Sequence, residues 1–205
     1  MDIEEPAVKY QLQMWPADYL DQERNADTKH EYADGKIIAM AWASPAHNKI
    51  LANLIGHTYP RLSGKPCKIY PSDLRIYVKS KESYFYPDAS IVCGDLEFSD
   101  DKQDTVKNPS VIFEILSPST QDYDIGRKFF FYMQIPTLGQ YITIDSASLH
   151  VRSGIRQPDN TWKFIELEKI TDTVPIEPVG FELALKDIYE DIALPDITEN
   201  EAKNL

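Results

Sequence analysis

Two carboxylates interrupt apolar stretches of this chain that have the composition of β-strands. Asp88 lies between Tyr84–Tyr86 and Ile91–Cys93. Glu114 lies inside Val111–Leu116. Burying an unpaired carboxylate in an apolar strand is costly, and two of them on neighbouring strands repel each other unless a cation lies between them. Since Mg²⁺ takes one or two carboxylates together with water and phosphate oxygens, the pair predicts a site for metal-assisted phosphodiester cleavage.

The segments around these acids predict the elements that position them. Val111–Leu116 is almost continuously apolar, which is typical of a central strand covered on both faces. A hairpin is expected over Lys29–Met40, around the turn signal Asp34-Gly35. Ser44-Pro45 predicts the start of a helix, and a second helix is expected from about Gln121 to Gln134.

Length and composition predict one soluble domain. The chain has 205 residues, of which 42% are hydrophobic and 26% charged, so we expect a single domain over 1–205 with an acidic tail from about residue 190. No apolar run approaches about 18 residues, which predicts no membrane span. The N-terminus lacks the features of a signal peptide. A cytoplasmic location is therefore expected, with Cys67 and Cys93 as a reduced pair.

The charge pattern bears on the class of ligand. The net charge is −12, whereas nucleic-acid-binding proteins usually have a basic surface. One stretch, however, holds six basic residues and one acid, Asp73; the basic residues are Arg61, Lys65, Lys68, Arg75, Lys79 and Lys81. The segment that follows Asp88 contains an acidic loop, which we expect to be a solvated face; its acids are Asp95, Glu97, Asp100, Asp101 and Asp104.

Several short motifs follow one another in a set order along nearly the whole chain. They are Lys29–Lys36, Ser44–His47, Ser72–Arg75, Tyr86–Asp88, Asn108–Pro109, Glu114–Thr120, Asp124, Lys128, Tyr132 and Tyr141–Asp145. This set resembles the PD-(D/E)xK nuclease superfamily and, within it, the restriction endonuclease family once catalogued as a domain of unknown function. The resemblance implies an α/β fold: a restriction-endonuclease-like mixed central sheet flanked by helices, with the site where Asp88 and Glu114 converge.

The resemblance also implies the roles of the central residues. Asp88, Glu114 and the main-chain carbonyl of Ile115 would bind Mg²⁺ or Mn²⁺. In the superfamily a lysine follows the second acid by two positions, but here that position is Leu116. Lys128 is the candidate replacement, on a helix after the Glu114 strand. The alternative for Lys128 is a surface ion pair with Asp124, four residues earlier.

Further candidates have open alternatives. Glu31 would lie near the metal, or would only pair with Lys36 across the hairpin. His47 would contact the scissile phosphate, orient Glu31, or cap its helix. Asp73 would add a carboxylate, or form a salt bridge with Arg75 or Arg127.

The expected function is that of a metal-dependent endonuclease hydrolysing DNA. The alternative is a binding or regulatory module with a weakened nuclease site, which Leu116 and the net charge of −12 favour.

A homodimer is expected, because two sites can cut both strands of a duplex. Phe129, Phe130 and Phe131 spread around a helix, so one of them should face a second surface unless the sheet buries all three.

Overall fold

The computed structural model describes residues 14–40, 42–117 and 121–194 as an α/β protein with mixed sheets. The helices are α1 (Pro16–Glu23), α2 (Pro45–Arg61), α3 (Phe129–Tyr132) and α4 (Leu185–Ile188), with a 3₁₀ turn at Lys79–Lys81 and a π-helical segment at Tyr123–Lys128. The strands are β1 (His30–Ala33), β2 (Lys36–Ala39), β3 (Cys67–Pro71), β4 (Arg75–Val78), β5 (Ser83–Phe85), β6 (Ala89–Cys93), β7 (Thr105–Val106), β8 (Val111–Leu116), β9 (Gln140–Asp145), β10 (Val151–Arg156), β11 (Trp162–Leu167), β12 (Thr173–Ile176) and β13 (Phe181–Ala184).

A six-stranded sheet in the order β11-β10-β9-β8-β6-β3 forms the centre of the fold. Strand β8 runs antiparallel to β6 and parallel to β9, and all six of its residues are buried. The prediction of a central strand covered on both faces is therefore confirmed. Because side chains alternate along a strand, Phe113 and Ile115 face one core layer while Ile112 faces the other.

A five-stranded sheet, β2-β1-β5-β4-β7, provides the second layer. Its hairpin β1–β2 is closed by Asp34 and Gly35, both with positive φ (51° and 77°), as the turn signal predicts. A core layer that includes Ile76, Phe85 and Ile112 packs between this sheet and the central one. The side chain of Glu114 enters this layer, since it lies on the same face of β8 as Ile112.

Helix α2 covers the other face of the central sheet. It begins after Ser44, whose Oγ accepts the main-chain N–H of His47 at 3.1 Å, so the predicted start of this helix is confirmed. Ile50 and Leu54 pack with Phe113 and Ile115 in one core cluster. The pair β12–β13 and α4 complete this layer, through buried residues that include Val174, Leu183 and Ile188.

Several local predictions differ from the structure. The helix expected from Gln121 to Gln134 includes the π-helical segment, and the loop after Asp95 contains β7. Cys67 and Cys93, predicted to be reduced, are disulfide-bonded, because their strands place them directly opposite each other. The expected acidic tail lies mostly outside the described residues. None of the helices described is both long and apolar enough to cross a membrane.

The three consecutive phenylalanines separate as the helical geometry requires. Phe131 is buried, Phe129 packs at the edge of the same cluster, and Phe130 is 51% exposed. The alternative in which the sheet buries all three is wrong. The Phe130 ring contacts the ring of Phe131 edge-on at a centroid distance of 5.9 Å, and the Nζ of Lys81 lies 4.9 Å from the Phe130 centroid.

Candidate active site

Asp88 lies immediately before β6, where the pairing of β6 with β8 ends. Its Oδ2 accepts the main-chain N–H of Ile115 at 2.6 Å. Its Oδ1 lies 2.8 Å from the Nε2 of His47. Because the N–H and C=O of a strand residue point to the same side, the carbonyl of Ile115 also faces Asp88. The strand register thus brings Asp88 to the residue next to Glu114.

Glu114 lies deep between the two sheets with a cation beside it. Its Oε1 is 3.2 Å from the Nζ of Lys128 and accepts the hydroxyl of Tyr132 at 3.1 Å. The side chains of Glu114 and Lys128 are 4% and 7% exposed, so their interaction takes place in a medium of low polarity. The interpretation of Lys128 as part of a surface ion pair is therefore wrong.

Lys128 is held by two further carboxylates. Its Nζ lies 2.9 Å from Oε1 of Glu31 and 3.2 Å from Oδ1 of Asp124. Glu31 comes from β1, and its Oε1 also accepts the main-chain N–H of Tyr86 at 3.3 Å. Lys128 and its three acids, Glu31, Glu114 and Asp124, are called the lysine cluster below.

The lysine cluster has an excess of negative charge, and the pKa values follow from this and from burial. Burial raises the pKa of Glu114 well above its ordinary value against the attraction of Lys128, with repulsion from Asp124 and Asp88 adding to the rise. The pKa of Glu31 is raised mainly by burial too. Burial alone would lower the pKa of Lys128, but Glu114, Glu31 and Asp124 outweigh it and raise that pKa. Lys128 therefore remains charged in its buried position.

The π-helical segment brings Asp124 and Lys128 to the site. It contains both residues, and both are buried. The main-chain carbonyl of Asp124 accepts the hydroxyl of Tyr141 at 2.8 Å, which ties the segment to β9. π-Helical turns are frequent at functional sites, and nothing in the sequence distinguishes this segment from an ordinary α-helix.

The structure brings most of the predicted residues together, although some have other partners than expected. Glu31 is directly opposite Ile38 rather than Lys36, and its carboxylate lies 2.9 Å from the Nζ of Lys128, so it is not only a cross-hairpin partner of Lys36. The ring of His47 contacts Asp88, and only its main chain takes part in the helix cap. Asp73 is an exposed residue that pairs with Lys29, not with Arg75 or Arg127.

Sequence reasoning missed a second buried polar group beside the site. Nη1 of Arg75 donates to the hydroxyl of Tyr86 at 2.9 Å, and Nη2 lies 2.9 Å from Asp104. The hydroxyl of Tyr86 donates to Glu23 at 3.2 Å. The signal available was an arginine at the start of an apolar strand, since a buried arginine needs a paired acid. This group fixes Tyr86, whose main chain holds Glu31.

The charged stretches form exposed surfaces only in part. Among the basic residues, Arg75 is buried, Lys65 donates to the carbonyl of Val179, and Arg61 pairs with Asp187. In the acidic loop, two acids bind Arg24 at 2.6 and 2.8 Å, namely Asp100 and Asp104. The loop is therefore held by ion pairs rather than being only a solvated face.

The donors around Asp88 and Glu114 suit a hard divalent cation. Two carboxylates and the carbonyl of Ile115 are oxygen donors, and such cations accept one or two carboxylates with waters completing the shell. The repulsion between Asp88 and Glu114, which contributes to the raised pKa of Glu114, is the kind that a cation relieves. Among residues 14–40, 42–117 and 121–194, no three or more His, Cys, Asp and Glu side chains form a group that could hold a metal ion.

Comparison with known proteins places the fold. The chain superimposes with a TM-score of 0.71 on the crystal structure of a "putative nuclease belonging to DUF820" from Anabaena variabilis ATCC 29413. The match covers 85% of this chain and 96% of that one, at 16% sequence identity. The predicted restriction-endonuclease-like α/β fold is therefore confirmed.

Sequence relatives cover a similar range. The chain is 37% identical over 151 residues to uncharacterized protein sll1609 of Synechocystis sp. (strain ATCC 27184 / PCC 6803 / Kazusa), covering 74% of this chain and 85% of that protein. It is 32% identical over 180 residues to uncharacterized protein slr1290 of the same strain, covering 87% and 92%. Residues 16–186 match the family Uma2, whose description is "Putative restriction endonuclease". Fold and sequence thus agree, and the chain belongs to the Uma2 family of nuclease-like proteins.

Proposed function

We propose that this protein is a metal-dependent endonuclease that hydrolyses phosphodiester bonds in DNA. The observation that carries the proposal is the convergence of Asp88 and Glu114 beside a buried, charged Lys128. Family membership supports the nuclease class. Asp88, Glu114 and the carbonyl of Ile115 are the proposed ligands of Mg²⁺ or Mn²⁺. When bound, such a cation polarises the scissile phosphate and lowers the pKa of a water molecule.

The protein residues have separate roles in this proposal. Leu116 occupies the position of the Glu-x-Lys lysine of the superfamily, and Lys128 takes over the role of that lysine. Lys128 positions the attacking water and offsets the charge that develops on the phosphate. His47 holds Asp88 by its 2.8 Å contact, which orients this carboxylate as outer partners of metal ligands do. Glu31 holds Lys128 from β1.

The proposed substrate is duplex DNA, cut by a homodimer. A twofold dimer would place two sites with the symmetry of the duplex. The half-exposed ring of Phe130 supports a further interface on α3. Light scattering at micromolar concentration tests this assembly, and the mass of a dimer is expected. The mass of a monomer would instead favour nicking of one strand or cleavage of single-stranded substrates.

The test of the proposed function is a cleavage assay on labelled DNA with Mn²⁺, with EDTA, and with the variant Glu114→Ala. We expect cleavage only by the native protein with the metal. A protein that binds Mn²⁺ through Glu114 but cleaves neither DNA nor RNA would instead be a binding module with a nuclease fold. Cleavage that survives Glu114→Ala would contradict the proposal.

A further inference from the structure

The ammonium group of Lys128 is surrounded by three acids in this structure. A lysine ammonium has three N–H donors and no acceptor. Three carboxylate oxygens surround the Nζ, at 2.9 Å from Glu31, 3.2 Å from Glu114 and 3.2 Å from Asp124. Each of the three donors of Lys128 thus has a carboxylate oxygen within reach, and the contact with Glu114 is a hydrogen bond, so a water molecule or a phosphate oxygen would have to compete with an acid for a donor. The proposed role of Lys128 therefore requires that one of the three acids be released.

Glu114 is the acid that can leave Lys128 with least loss. It is the one member of the lysine cluster among the proposed metal ligands, and its Oε1 keeps the hydroxyl of Tyr132 as a donor at 3.1 Å. Glu31 is tied to the main-chain N–H of Tyr86. Asp124 lies on the same helical segment as Lys128, four residues earlier, so these two acids are placed to stay with the lysine.

We propose that Asp124 is a positioning residue that, together with Glu31, retains Lys128 when Glu114 turns to the metal, so that one N–H of Lys128 becomes free for the attacking water. This inference rests on the proposed function and adds a residue to it. It also gives a reason for the third acid, since a single carboxylate would already neutralise the charge of Lys128.

Burial makes the contribution of Asp124 large enough to measure. The side chains of Asp124 and Lys128 are each 7% exposed, so water cannot replace a missing acceptor without entering the core. Without Asp124, the ammonium would keep its contact with Glu114. Lys128 would then compete with the metal for the same carboxylate, and metal binding would weaken.

The experiment measures Mn²⁺ binding by calorimetry in a double-mutant cycle. Asp124→Ala removes both the charge and the acceptor, whereas Asp124→Asn removes the charge and keeps an acceptor oxygen. Asp124→Leu is a second acceptor-free variant that leaves no cavity. Each variant is made with Lys128 and with Lys128→Met, and thermal unfolding confirms that each protein is folded.

With Lys128 present, Mn²⁺ should bind about tenfold more weakly to the Ala and Leu variants than to the Asn variant, the equivalent of one charge-assisted hydrogen bond. With Lys128→Met, that difference should vanish, because no ammonium remains to be held. A merely structural Asp124 would not show this dependence on Lys128.

The outcomes separate this inference from the proposed function. Equal affinities of the Ala, Leu and Asn variants in the presence of Lys128 would overturn the role of Asp124 alone. A difference that persists with Lys128→Met would also overturn it, since Asp124 would then act on the metal directly. A native protein that binds no Mn²⁺ would overturn both the inference and the proposed metal-dependent function.

Discussion

Asp88 accepts the main-chain N–H of Ile115 at 2.6 Å, so the first acid of the site is bonded to the residue that follows the second. This contact takes the place of the next ladder bond between β6 and β8, whose pairing ends at Ala89 and Phe113. The two acids are far apart in the sequence, yet their separation in space is fixed by the sheet. The main-chain positions of the two acids are therefore set before any ligand arrives.

Glu114→Gln should stabilise the protein and abolish its cleavage activity. Burial raises the pKa of Glu114, so the folded state holds its proton more tightly than the unfolded state. The contribution of the Glu114 carboxyl to stability is therefore greatest at low pH. It is lost as the pH rises from the ordinary pKa of a glutamate through the raised pKa of Glu114. Glutamine keeps an acceptor for the hydroxyl of Tyr132 and does not ionise as the pH rises.

Thermal unfolding between pH 5 and pH 9 measures the effect of Glu114→Gln. We expect the free energy of unfolding to rise by about 1 kcal/mol near neutral pH, which corresponds to roughly 2–4 °C in the melting temperature of a domain of this size. This gain should increase towards higher pH. A gain that shrinks as the pH rises would show that the buried carboxylate of Glu114 stabilises the fold in its charged form.

His47→Ala should reduce cleavage by about 10- to 100-fold through the loss of the group that orients Asp88. His47→Gln should retain part of the activity, because its side-chain amide can still donate to the carboxylate. Both variants keep the helix cap, which uses only the main chain of His47, so thermal unfolding should separate activity from stability. Equal activity of the two variants would argue that the bond to Asp88 has no part in catalysis.

Tyr86→Phe should destabilise the protein by about 1–3 kcal/mol, because Arg75 and Glu23 would each lose a partner in a buried position. The cleavage rate of the folded variant should change little, since the main-chain N–H that holds Glu31 remains. Denaturant unfolding measures the loss. Tyr59→Phe is the matched control, because Tyr59 is 70% exposed and should be neutral.

Removal of the Cys67–Cys93 disulfide, by a reductant or by replacing both residues with serine, should lower the free energy of unfolding by about 3 kcal/mol. The bond closes a loop with a sequence separation of 26 residues, and the estimate follows from the entropy of the open loop. Cleavage should persist, because Cys93 is at the opposite end of β6 from Asp88. Loss of activity in a folded serine variant would connect the disulfide to the site.

The sequence was sufficient to predict the elements that carry the site, because each has a local signal. The Asp34-Gly35 turn, the Ser44 cap and the apolar run of β8 depend on neighbouring residues alone. The same is true of the spacing that puts Asp124 and Lys128 on one helical face. The resemblance to a nuclease family supplied the choice of Asp88 and Glu114 as partners.

The remaining features depend on contacts between distant segments, which no local pattern records. The bond from His47 to Asp88 joins α2 to β6, and the contact of Lys128 with Glu31 joins a helix to the other sheet. The pairing of Cys67 with Cys93 follows from strand register rather than from their spacing. The charge pattern was only partly informative, since two basic residues of the basic stretch and two acids of the acidic loop form intramolecular ion pairs, namely Arg61, Arg75, Asp100 and Asp104.

The most direct test of the central claim is the rate of DNA cleavage by Asp88→Ala in the presence of Mn²⁺, compared with the native protein at the same folded concentration. The account predicts that the variant cleaves no faster than the native protein in EDTA, because the carboxylate bonded to Ile115 is a proposed metal ligand. A folded Asp88→Ala variant that cleaves DNA at the native rate would contradict the assignment of this site.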